Sequence, residues 1–327
     1  MEDAEFDRQL IEEFAPKAKR IFAHANDTVL HLAQSLGGVK AIHICGPDVE
    51  KIKAKLFIAT HYSRDNALFL LGHHEGRMDD RERARELKKM AKDSHADLEI
   101  GAIHEGLDKE DERFWREVRR RLPYTLMNSI LLMNDPHEIQ AYVTRSGLEQ
   151  WIKDGLKEVC TDKNLVEWFG YGALMNRIWR PWEHVYRSIM PLLTNGKLKE
   201  NPYVMEMLFG TGGKEFPWLQ ENYGTLVGRQ LGLMFFPEGV DEVLEKSPPM
   251  YDVVCLSNIL DSMCEMDAAR VLKLVYNALV PGGIVIVRQM NSTIDLGFIA
   301  SKFHWEMIED GDRTNLYAVY VGEKDCH

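Results

Sequence analysis

Polar residues able to do chemistry fall in or directly after short apolar runs of this 327-residue chain. Asn26 and Asp27 follow KRIFA (Lys19–Ala23), and His43 lies in VKAIHI (Val39–Ile44). Glu238 and Gly239 follow LGLMFF (Leu231–Phe236). Ser257, Asn258 and Asp261 follow YDVVCL (Tyr251–Leu256). Arg288, Gln289 and Asn291 follow the β-branched run Ile284–Val287. If these runs are parallel strands of one sheet, the residues line the crevice at the strands' carboxyl ends, where open α/β sheets take their ligands. An Arg there can hold a carboxylate through two parallel hydrogen bonds. A Glu can accept from an adenine amino group, and a His can bond a ribose hydroxyl. A helix N-terminus at Asn26 and Asp27 can face an anionic group. Plainer roles stand beside these. Asn26 and Asp27 could simply cap a helix, worth about 1 kcal/mol. His43 could be a satisfied strand-end imidazole. Glu238 could be a solvated turn carboxylate, Asn258 or Asp261 a cap, and Arg288 half of a structural ion pair.

The elements that must position these residues read most clearly at the two ends of the chain. Towards the C-terminus, the run Leu231–Phe236, the run Tyr251–Leu256, a helix over Asp267–Leu279, Pro281-Gly282-Gly283 and the run Ile284–Val287 make the second half of a doubly wound sheet. Phe303–Trp305 and Leu316–Val321 predict a final, antiparallel pair. Towards the N-terminus, Lys19–Ala23 and Val39–Ile44 are strands, with helices over Asp27–Leu36 and Val49–Ala59. Between them the signal is helical: Asp80–Ala91, Lys109–Leu122, Leu148–Val159, Leu165–Ile178 and Trp182–Leu193. The expected fold class is therefore α/β. Residues 1–62 and 223–327 form a Rossmann-like sheet domain, and 63–222 an all-helical insertion capping its open end.

Composition narrows the function classes. With 45% apolar and 28% charged residues the chain can bury a core, which argues against disorder. A net charge of −11 points away from nucleic-acid partners, because phosphate contacts need a basic surface. The five cysteines include no CxxC pair, so neither a zinc site nor a disulfide framework is expected. His73, His74 and His137 lack a carboxylate partner at metal-ligand spacing, and no metal is assigned. The acidic start MEDAEFDRQLIEEF does not read as a signal peptide. No apolar run approaches the roughly 20 residues of a membrane span. A cytoplasmic protein is the expectation. The helix with Arg113, Arg116, Arg119, Arg120 and Arg121 reads as a solvated face, although with Phe114 and Trp115 it could touch a membrane surface peripherally.

Several stretches together resemble the BtaA-like enzymes, S-adenosylmethionine (SAM):diacylglycerol 3-amino-3-carboxypropyl transferases and their relatives. They are NPYVMEMLFG (Asn201–Gly210), PWLQENY (Pro217–Tyr223), LSNILDSM (Leu256–Met263), PGGIVIVRQMN (Pro281–Asn291) and ERFWREVRRRLP (Glu112–Pro123). Their order also agrees, over nearly the whole chain. The resemblance implies a class I SAM-methyltransferase-type sheet, SAM as co-substrate and no transmembrane segment. It implies transfer of the aminocarboxypropyl group to a nucleophilic acceptor, a small molecule or a lipid headgroup, releasing methylthioadenosine. Their places at the strand ends make Asn26, Asp27, His43, Glu238, Gly239, Ser257 and Asn258 the expected SAM contacts. Arg288, Gln289 and Asn291 would bind substrate, and Tyr203 and Asp261 would accept a proton. The chain departs from the family at its first strand-to-helix turn, Ala23-His24-Ala25-Asn26-Asp27, which has no glycine, and by placing His43 where an acidic residue would hold the ribose. A small-molecule SAM methyltransferase, or a repurposed non-catalytic binding protein, are the alternatives.

Overall fold

The computed structural model describes residues 2–61, 63–71, 85, 113–211, 217–220, 230–309 and 311–326. The strands are β1 (Arg20–His24), β2 (Ala41–Cys45), β3 (Gly232–Phe236), β4 (Tyr251–Ser257), β5 (Leu279–Gln289), β6 (Phe303–Ile308) and β7 (Ala318–Lys324). They form one sheet in the order β3-β2-β1-β4-β5-β7-β6. Strands β1 to β5 run parallel, while β7 is antiparallel to both β5 and β6. This 3-2-1-4-5 order reverses direction between β1 and β4. That point is the topological switch, where adjacent loops diverge and leave a crevice. Order and strand direction together make this a Rossmann-like, SAM-methyltransferase-type sheet.

The apolar runs become strands because both faces of the sheet are covered. Val253 and Cys255 of β4 join one core cluster, and Val254 and Leu256 join the other. That two-residue alternation is the pleat of a strand, and burial on both sides explains the near-continuous hydrophobic runs. One face packs under α1 (Ala4–Phe14), α2 (Thr28–Ser35) and α3 (Val49–His61), followed by α4 (Arg64–Leu71). The same cluster takes in the helical middle: α5 (Arg113–Arg121), α6 (Tyr124–Leu131), α7 (Pro136–Ser146), α8 (Leu148–Val159), α9 (Asp162–Phe169), α10 (Pro181–Thr194) and α11 (Pro202–Phe209). The other face carries α12 (Val240–Glu245) and α13 (Glu265–Ala278), with the short α14 (Leu296–Ile299).

Between β2 and β3 the described residues hold helices and no strand. Apart from residue 85, the expected helix Asp80–Ala91 lies outside the described residues, as do the His73-His74 pair and the boundary at 222–223. The helix expected over Leu165–Ile178 stops at Phe169. Gly170, at φ 75°, ends it in a backbone conformation that favours glycine. A 3-10 turn, Tyr171–Leu174, follows. Gly172 then presses on the loop after β4, where an added Cβ would lie 2.5 Å from Ser262 Cβ. Asn176 Nδ2 donates to the carbonyl of Asp261 at 3.2 Å and to that of Met263 at 2.5 Å. Asn291 clasps Trp179 by both backbone groups, at 2.9 and 2.8 Å. The helical middle is thus stitched to loops at the carboxyl ends of β4 and β5. Among the described residues no helix is long and apolar enough to cross a membrane.

Candidate active site

The crevice at the switch point is built by three strand ends and one helix start. After β1, Asn26 accepts from Thr28 N through Oδ1 at 3.0 Å, fixing the turn into α2 and leaving its amide nitrogen free to donate outward. At the end of β4, Ser257 sits at φ 57°, a left-handed conformation that is strained for a residue with a side chain. At the end of β5, Arg288 is 1% exposed. Into this space come Glu2, which precedes α1, and Asp7 of its first turn. Asn26 Nδ2 donates to Glu2 Oε2 at 2.9 Å, and Ser257 Oγ donates to Glu2 Oε1. Arg288 Nη1 lies 3.6 Å from the same carboxylate and 2.6 Å from Asp7 Oδ1, while its Nε lies 3.6 Å from Asp312 Oδ2.

One guanidinium therefore faces three enclosed carboxylates. Burial pushes Asp7 up to about 7 even though Arg288 pulls the other way, and Glu2 and Asp312 add to the rise. Asp312 is raised as well, again chiefly by burial. Asp7 makes stability depend on pH. Its folded value lies above its ordinary 3.8. Its protonated form thus favours folding fully below 3.8, and that contribution is lost as pH rises through 7. Asp7→Asn should flatten the urea-unfolding stability curve between about pH 4 and 7 relative to the parent chain. Two parallel curves would contradict this placement of Asp7.

Asp3 anchors the segment from behind. It is fully buried and caps α1, accepting from Phe6 N at 3.4 Å. It accepts from Arg313 Nε at 2.6 Å, Arg313 Nη2 at 2.7 Å and Tyr203 Oη at 3.0 Å. Phe6, Leu10 and Ile11 of the same helix enter the core, and Glu5 meets His31 of α2 at 2.8 Å.

The residues expected from sequence separate into groups. Asn26, Ser257 and Arg288 converge on one carboxylate. Asn258 stands beside them, 3.3 Å from Ser257 Oγ, at the start of the 3-10 turn Ile259–Ser262. Asp27 turns aside to Lys55 Nζ at 2.5 Å. Gln289 donates to Ile294 O at 2.9 Å, and Asn291 holds Trp179. Both therefore hold loops, where substrate contacts were expected. Asp261 Oδ2 accepts from Met290 N at 2.7 Å, and burial pushes its carboxyl up to about 6. Tyr203 is 2% exposed; burial, with the Asp3 charge, holds its phenol well above the usual range. Glu238 and Gly239 lie exposed after the edge strand β3.

His43 is displaced from its expected place. It is the third residue of β2 rather than the last, and alternation turns it to the α12 side, away from Ile42 and Ile44. There Nδ1 meets Tyr251 Oη at 2.8 Å, and burial lowers its pKa. The end of β2 is instead Cys45-Gly46. Gly46, at φ 120°, lies so close to His24 that an added Cβ would sit 3.0 Å from Nε2.

Sequence reasoning missed Glu2, Asp7, His24 and Asp312. A signal for Asp7 was present: it shares the apolar face of α1 with Phe6, Leu10 and Ile11. A carboxylate on such a face is buried only when paired. Among the described residues no group of His, Cys, Asp or Glu is arranged to hold a metal ion.

Comparison with known proteins adds little to the sheet itself. No family model and no curated protein matches the chain. An O-methyltransferase family protein from Burkholderia thailandensis is 13% identical at a TM-score of 0.26, covering 85% of this chain and 93% of its own. Human N-acetylserotonin methyltransferase, solved in complex with SAM, is 11% identical at 0.26, covering 84% and 94%. The CurJ carbon methyltransferase is 10% identical at 0.27, covering 99% and 100%. Likeness at this level decides nothing; the fold assignment rests on strand order and direction.

Proposed function

We propose that the crevice binds SAM and that the chain transfers its 3-amino-3-carboxypropyl group to a nucleophilic acceptor. The observation that carries this reading is the convergence of Asn26, Ser257 and buried Arg288 on a carboxylate at the switch point. That set suits the α-carboxylate of the SAM amino acid arm. Arg288 lies beyond β4, on the β5 side of the switch. An arm whose carboxylate meets Asn26, Ser257 and Arg288 spans the switch from the glycine-free turn after β1 to the end of β5.

SAM supplies an activated sulfonium leaving group. The acceptor's lone pair forms a bond to the γ-carbon of the arm, the carbon–sulfur bond breaks, and its electrons return to sulfur, giving methylthioadenosine. The chain's part is to hold the arm in line, exclude water and take the acceptor's proton. Asp261, pushed up to about 6 by burial in the loop after β4, is matched to taking a proton near neutrality. Tyr203 is committed to Asp3 and remains a neutral donor. The acceptor is a small molecule or a lipid headgroup.

Calorimetric titration with SAM tests the placement. Asn258→Ala should weaken binding about tenfold, or about 1.4 kcal/mol. Arg120→Ala, on an exposed face of α5 and paired with Glu117, should leave it unchanged. Equal effects from the two variants would refute the site.

A further inference from the structure

The crevice is already engaged by the chain itself. The Glu2 carboxylate takes one hydrogen bond from the loop after β1, another from the end of β4, and an ion pair from the end of β5. Its side chain is 7% exposed. These are the contacts a ligand carboxylate at the switch point would need, and Ser257 holds a strained backbone while giving one of them. Strain of that kind gathers at ligand clamps. We infer that Glu2 is a built-in competitor: it occupies the carboxylate subsite of the crevice and must swing out before an amino acid ligand enters. The inference rests on the proposed SAM site and adds its regulation.

Two further observations favour displacement over a fixed structural bond. Glu2 precedes the cap of α1, so it can leave without unwinding the helix. Asp3, gripped by Arg313 and Tyr203, is the pivot. The engaged state also crowds three carboxylates around one guanidinium. A zwitterionic ligand brings an ammonium with its carboxylate, and SAM a sulfonium as well. Exchanging Glu2 for such a ligand keeps the Arg288 ion pair and sets positive charge beside Asp7 and Asp312. The ligand class is therefore an α-amino acid with a cationic extension, in preference to a simple carboxylate.

Calorimetry with SAM on the full chain and on Glu2→Ala and Glu2→Lys tests this, with thermal unfolding confirming that each variant is folded. If Glu2 fills the subsite about nine-tenths of the time, its removal should tighten apparent SAM binding about tenfold. Glu2→Lys should do the same, since a cation is repelled by Arg288. Equal affinity in all three proteins overturns the competitor role and leaves the SAM site standing. Weaker binding in the variants overturns it too, making Glu2 a ligand contact. No binding by any of the three overturns both the competitor and the site.

Discussion

Arg288→Met should destabilise the chain by about 3–5 kcal/mol, the usual cost of stripping one partner from a buried ion-pair cluster. The guanidinium is 1% exposed and serves Asp7, Glu2 and Asp312 together. Methionine fills much of its volume and neutralises none of them. The deficit should shrink as pH falls from about 7 to 4, because the stranded Asp7, pushed up to about 7 by burial, can then take up a proton. Arg288→Lys should recover part of the stability, since one charge returns without the planar fork. SAM binding should be lost in the methionine variant even at the acid end of this range, where the fold is recovered. Chemical unfolding at several pH values reads the first effect and calorimetry the second. A deficit below about 1 kcal/mol would show that the cluster is not closed as described.

A second large effect is expected at Gly311, in the loop joining β6 to β7. Its φ of 128° is open to glycine and costly for other residues. An added Cβ would stand 2.2 Å from the Phe6 ring on α1. Gly311→Ala must both strain the backbone and push Phe6, so a loss of about 3 kcal/mol is expected from the two together. The loss should be local in character. Amide exchange should quicken along Ala4–Phe14 more than along the two-face-buried strand β4, because α1 is the element displaced. A stability change within about 0.5 kcal/mol would contradict the close approach of this loop to α1.

The strands were legible because a two-face-buried strand announces itself as a short β-branched run. Tyr251–Leu256 matches β4 to within one residue, while Ile284–Val287 lies inside a longer β5 that starts at Leu279 and takes in Pro281-Gly282-Gly283. The helix Leu148–Val159 matches α8 residue for residue, since its apolar stripe and flanking Gly147 leave little choice. The places of Ser257 and Arg288 were legible because each directly follows a buried apolar run, at the carboxyl ends of β4 and β5. It was obscured in three places for physical reasons. His43 was read as the end of β2, but the strand runs on to Cys45, and a shift of two leaves the side chain deep in the sheet. The segment after Phe169 kept an apolar period, yet Gly170 and Gly172 break it to meet the loop after β4. The acidic start looked like a solvated face. Its burial depends on Arg288 and Arg313, nearly three hundred residues away, and no local pattern carries that pairing.

In the proposed reaction the sulfonium loses its amino acid arm rather than its methyl group. The direct measurement is to incubate the chain with SAM and amine, thiol and hydroxyl acceptors in turn, then identify the nucleoside product by mass spectrometry. With the right acceptor, methylthioadenosine should accumulate together with an acceptor enlarged by the aminocarboxypropyl group. S-adenosylhomocysteine appearing in step with a methylated acceptor would contradict this and make the chain a methyltransferase.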